Sequence, residues 1–333
     1  VVKIKGQPAP ADRAAILTDR RNLKMARSSH AYVRGNTQKF YEWLGTSEGL
    51  KVPQGPPIWI CGDCHVGNLG PVASTKGVID IQIRDLDQTV IGNPAHDLIR
   101  LGLSLASAAR GSNLPGVTTL QMIEQVVTGY EQAFQSKDDG MAVETDLPEV
   151  VRLALRDAYA RNWKSLARER IKDTNPSIPL GKRFWQLTKP ERDAVSALFQ
   201  DENTRRLVTS LRSRDDDASV EVLDAAYWVK GCSSLGLLRY AVLIGIGGKN
   251  GETCLIDIKE AVKAAAPSSP DADMPKDNAE RVVRGAWHLS PSLGDRMLAA
   301  KLGETSVFIR ELLPQDLKFE IEYLPAEEAI KVA

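Results

Sequence analysis

The feature that most constrains the fold is a change of texture near Val220. Before it, apolar residues recur at helical spacing over long stretches, broken by polar turn clusters. After it, short runs alternate like strands and are separated by Gly-rich turns. Helices followed by adjacent strands predict an α+β protein rather than an alternating α/β one. The chain has 333 residues, enough for two ordinary domains. The texture divides it into a helical catalytic part, 1–220, and a sheet-based part, 221–333.

Within the first part, residues 11–45 read as helical, interrupted at Arg34-Gly35. Ile58-Trp59-Ile60-Cys61 reads as a buried strand and Gly77 to Ile83 as a second strand. Asp97 opens a helix reaching about Ala109, where it is placed to favour the N-terminus. Residues 116–212 are mostly helical, with turns near Lys137–Gly140 and Asn175–Gly181. Asp215-Asp216-Asp217 reads as a solvated turn. In the second part, strands are expected at Ala226–Val229, Leu237–Ile246 and Thr253–Lys259, with Gly247–Gly251 as a hairpin turn. Residues 267–276 read as a mobile loop. A helix near 277–290 and strands near 297–301 and 306–310 follow.

Two acid-bearing loops each follow a strand. The first, Gly62-Asp63-Cys64-His65-Val66-Gly67-Asn68, holds Asp63 and Asn68. The second, Arg84-Asp85-Leu86-Asp87, holds two carboxylates. If the two strands form one hairpin, these side chains converge. Mg²⁺ takes hard oxygen ligands, often one or two carboxylates with phosphate oxygens. Asn68 and Asp85 suit that role, with Asp87 beside them. Asp63 is then left to take a proton from an attacking hydroxyl.

Gly62-Asp63-x-His65-x-Gly67-Asn68, then Asp85-x-Asp87, then Gly92-x-Pro94-x-x-Asp97-Leu98 resembles the motif series of aminoglycoside and choline phosphotransferases. The resemblance implies a catalytic base at Asp63 and metal ligands at Asn68 and Asp85. It also implies an acid at Asp97 that braces the catalytic loop, and it places His65 in the catalytic motif. Arg34-Gly35, Arg84-Asp85-Leu86-Asp87 and Gly181-Lys182-Arg183-Phe184-Trp185 also resemble the bacterial domain-of-unknown-function family 2252. That second resemblance covers most of the chain and implies a kinase-like fold. The family continues past the last residue, so a further helical segment supporting the catalytic loop is expected.

Cys61-Gly62-Asp63-Cys64-His65 also fits the Cys-x-x-Cys-His pattern of covalent haem attachment. That reading leaves Asn68, Asp85, Asp97 and the whole second part without a role. Zinc at Cys61 and Cys64 lacks two further ligands, since Cys232 and Cys254 are not spaced as a second knuckle. Cys61 as the buried end of a strand and Cys64 as a small loop residue is the better account.

The second constellation lies downstream. Tyr227 to Gly236 runs strand, Gly-rich loop, strand, and offers Gly231, Ser233, Ser234 and Gly236 to phosphates through backbone and hydroxyl donors. Lys259 ends the third strand, where the phosphate-clamping lysine of a kinase stands. Glu280, on the following helix, is the expected ion-pair partner. Glu311 and Leu313 fall where a kinase hinge hydrogen-bonds an adenine edge. These elements come after the catalytic loop instead of before it. The expected fold is therefore a protein-kinase-like two-lobe fold in circularly permuted order, which is tolerable where termini lie close at the surface.

The expected function is ATP- and Mg²⁺- (or Mn²⁺-) dependent phosphoryl transfer to a hydroxyl of a small-molecule acceptor. Alternatives are transfer of AMP by a kinase-like fold, and a non-catalytic nucleotide-binding pseudokinase. Lys plus Arg and Asp plus Glu balance at 43 each, which argues against a nucleic-acid partner. No apolar run approaches the roughly 18 residues of a spanning helix, so no membrane partner is expected. Four cysteines are too few for a disulfide framework and fit a reducing, cytoplasmic setting. Arg161, Lys164, Arg168 and Arg170 read as a solvated helix face.

Overall fold

Residues 239–260 carry the strongest alternation, and they form the centre of a six-stranded antiparallel sheet. A computed structural model describes residues 7–135, 147–171, 177–211, 213–248, 251–318 and 324–333. The chain begins with α1 (Pro10–Met25), α2 (Ser29–Gly35) and α3 (Thr37–Leu44). Four short strands follow: β1 (Ile58–Ile60), β2 (Leu69–Ala73), β3 (Ile79–Ile83) and β4 (Val90–Gly92). Next come α4 (Ala95–Gly111), α5 (Gly116–Gln135), α6 (Glu149–Ala160) and α7 (Trp163–Arg170). Strand β5 (Phe184–Gln186) precedes α8 (Lys189–Leu198) and α9 (Glu202–Thr209). The last part holds β6 (Val220–Trp228), β7 (Arg239–Ile246), β8 (Glu252–Glu260), α10 (Asn278–Leu289) and α11 (Pro291–Gly294). It ends with β9 (Met297–Leu302), β10 (Thr305–Leu312) and α12 (Ala326–Val332). The fold is mixed α+β with antiparallel sheets, as expected from the texture. The turns expected at Lys137–Gly140 lie outside the described residues, as do Asn175 and the tip of the hairpin at 249–250.

Two expectations need correction. The two acid-bearing loops do not follow strands of one hairpin. β1 pairs with β4, and β3 pairs with β2, so each loop sits between two small ribbons. The boundary at 220 does not divide the core either. β5 joins the large sheet beside β6, and Leu17, Val195, Phe199 and Val208 from α1, α8 and α9 pack on Val242, Ile256 and Ile309 of that sheet. Conversely, Ala329 of α12 packs with Leu105, Met122 and Val151 among α4, α5 and α6. The reason is the near-continuous apolar run of the central strands. Both faces of β7 and β8 are apolar, and each needs a cover that the residues after 220 do not supply alone.

The two faces are covered differently. Tyr240, Val242, Ile256 and Ile258 face α1, α8 and α9. On the opposite face, α7 lays Leu166 and Ala167, followed by Ile171, against Ala226, Trp228, Ala241, Leu243, Leu255 and Leu312. α10 covers the far end of that face at Phe308 through Ala279, Val282 and Ala286. Between these two covers the face carries Arg239, Asp257, Lys259 and Arg310. That gap is where the acid-bearing loops dock.

Candidate active site

The first loop is held from three sides. Asp97 reaches out of the first turn of α4. Its two oxygens accept from the backbone N–H groups of Cys61 at 2.7 Å and Gly62 at 2.9 Å. The carboxylate thus braces the loop; the helix itself takes no side-chain cap. Burial, opposed by those two N–H bonds, raises the Asp97 pKa to about 6. Tyr41 of α3 donates to the Gly62 carbonyl at 2.7 Å. Asn68 Nδ2 donates to the Asp63 carbonyl at 3.0 Å, which closes the loop on itself. Gly62 has φ +74°, and a Cβ there would stand 2.1 Å from the Gln88 carbonyl oxygen, so only glycine fits.

Asp63 is buried and salt-bridged to Arg100 of α4. Arg100 also donates to the Val33 carbonyl at 3.1 Å and Thr37 Oγ1 at 3.2 Å. Burial raises the Asp63 pKa, and Arg100 opposes the rise. His65 is buried, and desolvation followed by the charge of Arg34 lowers its pKa to about 3, so its imidazole is neutral. Arg100 was given no role by the motif series. Its signal was the spacing from Asp97, i and i+3, which puts both side chains on the helix face toward the loop.

The second loop meets the sheet. Lys259 Nζ lies 3.0 Å from Asp85 Oδ1 and 2.6 Å from Asp87 Oδ2. Lys259 is 3% exposed, Asp87 23% and Asp85 49%. Burial works against ionising Asp85, but the Lys259 charge prevails and holds its carboxyl well below the usual range. Asp87 is pushed up to about 6 by burial and by the charge of Asp85. The two acids titrate as a pair. Glu280 does not take the expected place beside Lys259. It is exposed in the first turn of α10, where its backbone N–H is capped by Asp277. The residue that α10 turns inward is its neighbour Arg281, which donates to the carbonyls of Thr89, Asp87 and Val262 and so fixes the second loop.

Seventeen residues line a cavity of about 310 Å³ between the loops and the sheet, among them Asp63, His65, Asn68 and Asp85. Gly231 and Ser233 of the Gly-rich segment line it as expected. Ser234 and Gly236 are not among the lining residues. The Ser234 hydroxyl folds toward Gly231, and Gly236 packs toward Ala14 and Thr18 of α1. Arg239 donates two bonds to Asp257, one of them at 2.8 Å, and Arg310 reaches the same carboxylate at 3.3 Å. Asp257 is fully buried, and although burial opposes its charge, the two arginines hold its pKa far below the ordinary value. Asp257 and Lys259 stand at i, i+2 in β8, a spacing that puts both charges on one face of the sheet.

The hinge expectation also needs correction. Glu311 is buried and bonded at both oxygens to Arg214, 2.7 Å each. Its carbonyl accepts from Arg296 at 2.9 Å. Leu313 donates to Asp316 Oδ2 and accepts from the Asp316 N–H, and the Pro314 carbonyl accepts from Arg161 at 2.7 Å. These groups are already paired within the protein and are not offered to a base. Glu311 and Leu313 line a second cavity, of about 820 Å³, which shares no lining residue with the first.

Fold and site together define an α+β protein in which two acidic loops border a cation-lined cavity, and a buried sheet-borne lysine outside that lining holds the second loop. The chain matches the family described as uncharacterized protein conserved in bacteria, DUF2252, over residues 13–333, and it belongs to that family. No curated protein and no solved structure matches it. Among the described residues, no helix is long and apolar enough to cross a membrane.

Proposed function

We propose that the chain is an ATP- and Mg²⁺-dependent phosphotransferase with a kinase-like fold in circularly permuted order, acting on a hydroxyl of a small molecule. The observation that carries this reading is the contact of Lys259 with Asp85 and Asp87. It joins two motif sets that lie 174 and 172 residues apart in the chain. A kinase-like site needs its phosphate lysine and its metal-binding acid in one cleft.

The residues fit a hard divalent cation. Asn68 spends its amide nitrogen on the Asp63 carbonyl, which leaves its oxygen as the ligand atom, and Asp85 adds a carboxylate. Among the described residues no group of three or more His, Cys, Asp or Glu is gathered as a metal cage. Mg²⁺ commonly makes do with one or two protein oxygens and takes the rest from phosphate and water. Bound there, it would neutralise phosphate charge. Lys259 supplies a second positive charge to the same phosphates. Asp63, whose burial makes it more basic than an ordinary aspartate, accepts the proton of the acceptor hydroxyl. The hydroxyl oxygen forms its bond to the terminal phosphorus, and the bond to the bridging oxygen breaks, its electron pair leaving with the diphosphate. Arg100 and Asp97 position Asp63 and do not touch the reacting atoms.

The test is mass spectrometry of a panel of polyols and amino alcohols incubated with the protein and MgATP. A gain of about 80 Da marks phosphoryl transfer, whereas about 329 Da marks AMP transfer. Asp63→Ala turning over at the wild-type rate would remove the base assignment.

A further inference from the structure

We propose that the cation-lined cavity takes its donor as a linear polyphosphate chain, recognised through its phosphates and not through a base. This rests on the reading of the cavity as the donor site. Eight of its seventeen lining residues are Lys or Arg, and two are Asp. Arg239 and Arg310 share Asp257. The other six are Lys24, Arg34, Arg84, Arg170, Lys230 and Lys318. Lys24 reaches in to donate to the Gly231 carbonyl at 2.8 Å. Lys230 lies over the Trp228 ring at 4.1 Å. The Nε atoms of Arg84, Arg170 and Arg310 are buried and have no hydrogen-bond partner among the described residues. Gathering like charges and leaving guanidinium N–H groups unpaired is costly. A ligand with several adjacent phosphates offsets the gathered charge, since guanidinium groups match phosphate oxygens in charge and geometry.

On the side of the second cavity, the described residues leave no place for a base beside those phosphates. α7 lies across the sheet face between the two cavities, with Arg170 at one end lining the first and Trp163 at the other lining the second. Seven residues at helical rise span about 10 Å. Leu166, Ala167 and Ile171 fill that span against Trp228, Ala241, Leu255 and Leu312, all buried. The Glu311 and Pro314 carbonyls and both backbone groups of Leu313 are paired internally, as described above. The cavity, about 310 Å³, lies at the small end of the range for ligand pockets. A nucleoside triphosphate and an inorganic polyphosphate present the same chain to it.

Calorimetric titration of the full chain with Mg²⁺ and, in turn, ATP, GTP, CTP, inorganic tripolyphosphate and adenosine tests this. The four phosphate ligands should bind with Kd values within about threefold of one another, and adenosine should give no heat. ATP binding more than about tenfold tighter than tripolyphosphate, or adenosine competing with it, overturns the inference. Absence of binding by all four overturns it as well. Arg170→Met and Lys230→Met should each weaken all four alike, by about tenfold; a loss confined to ATP counts against the proposal. Turnover assays separate the sources: consumption of tripolyphosphate points to an inorganic donor, and consumption of nucleotides alone to a nucleoside triphosphate. ATP-selective binding with phosphoryl transfer defeats only this inference. Equal binding without transfer to any acceptor defeats the phosphotransferase reading and leaves the polyphosphate site standing.

Discussion

The cavities at the two ends of α7 are built from similar residues and do different things with charge. The larger contains Arg214 and Glu311, which neutralise each other through two 2.7 Å bonds at 5% and 3% exposure. The smaller has eight cations against two acids and keeps several guanidinium nitrogens unpaired. Volume would favour the larger as a binding site. Charge balance favours the smaller, because a paired buried charge is structural whereas an unpaired one waits for a partner. The comparison teaches that the arginines of one fold must be sorted by what already satisfies them.

The largest effect that tests this contrast is on turnover. Asp63→Ala should lower kcat by about 10²–10⁴-fold, the usual contribution of a positioned base. Its calorimetric Kd for tripolyphosphate should stay close to wild type. A parallel loss of binding would mean that Asp63 shapes the phosphate cavity instead of acting in it. At the other cavity, Glu311→Ala leaves Arg214 buried with only the half-exposed Glu252, at 2.9 Å, as its ion-pair partner. The expected cost is about 3–5 kcal/mol of stability in urea unfolding, with donor affinity of the folded protein unchanged. Changed affinity with unchanged stability would reverse the roles assigned to the two cavities.

A smaller effect concerns pH. The Asp87 carboxyl, pushed to about 6 by burial and the Asp85 charge, takes up a proton as pH falls through that value. The acid pair then loses one negative charge, so cation affinity is full above about pH 7 and declines below 6. Mn²⁺ binding followed by electron paramagnetic resonance should weaken about tenfold between pH 7.5 and 5. A flat profile would take the metal away from this pair. The smallest effect is a contrast of neighbours on α7. Arg168 is exposed, and Arg168→Ala should shift stability by less than about 0.5 kcal/mol and leave tripolyphosphate binding as it is. Any weakening comparable to that of Arg170→Met would mean that general surface charge, not the cavity, holds the phosphates.

Part of this site was legible in order along the chain. Asp63, His65, Asn68 and Asp85 carry a spacing that local loops realise, and they do line one cavity. Asp97 braces Cys61 and Gly62 from 36 and 35 residues away, as its motif implied. Other assignments failed for a common reason. Glu280 stands at a plausible distance in sequence, yet the helical phase of α10 turns Arg281 inward and Glu280 to solvent. Arg170 belongs to a run of basic residues that reads as a solvated face, and only the packing of α7 on the sheet aims it into the cavity. Glu311 alternates like a residue at a ligand edge, but Arg214, 97 residues away, already holds it.

The sequence by itself determined the α+β class, the residues of the two acid-bearing loops and the strand that carries Lys259, because these follow from local spacing and apolar patterning. Only the tertiary structure decided that Lys259 meets Asp85 and Asp87 instead of Glu280, that Glu311 and Leu313 are already paired, and that α7 fills the space between the two cavities. Periodicity says which side of an element faces inward. What it faces depends on contacts between residues more than a hundred positions apart, and those are settled by how the two faces of the sheet are covered.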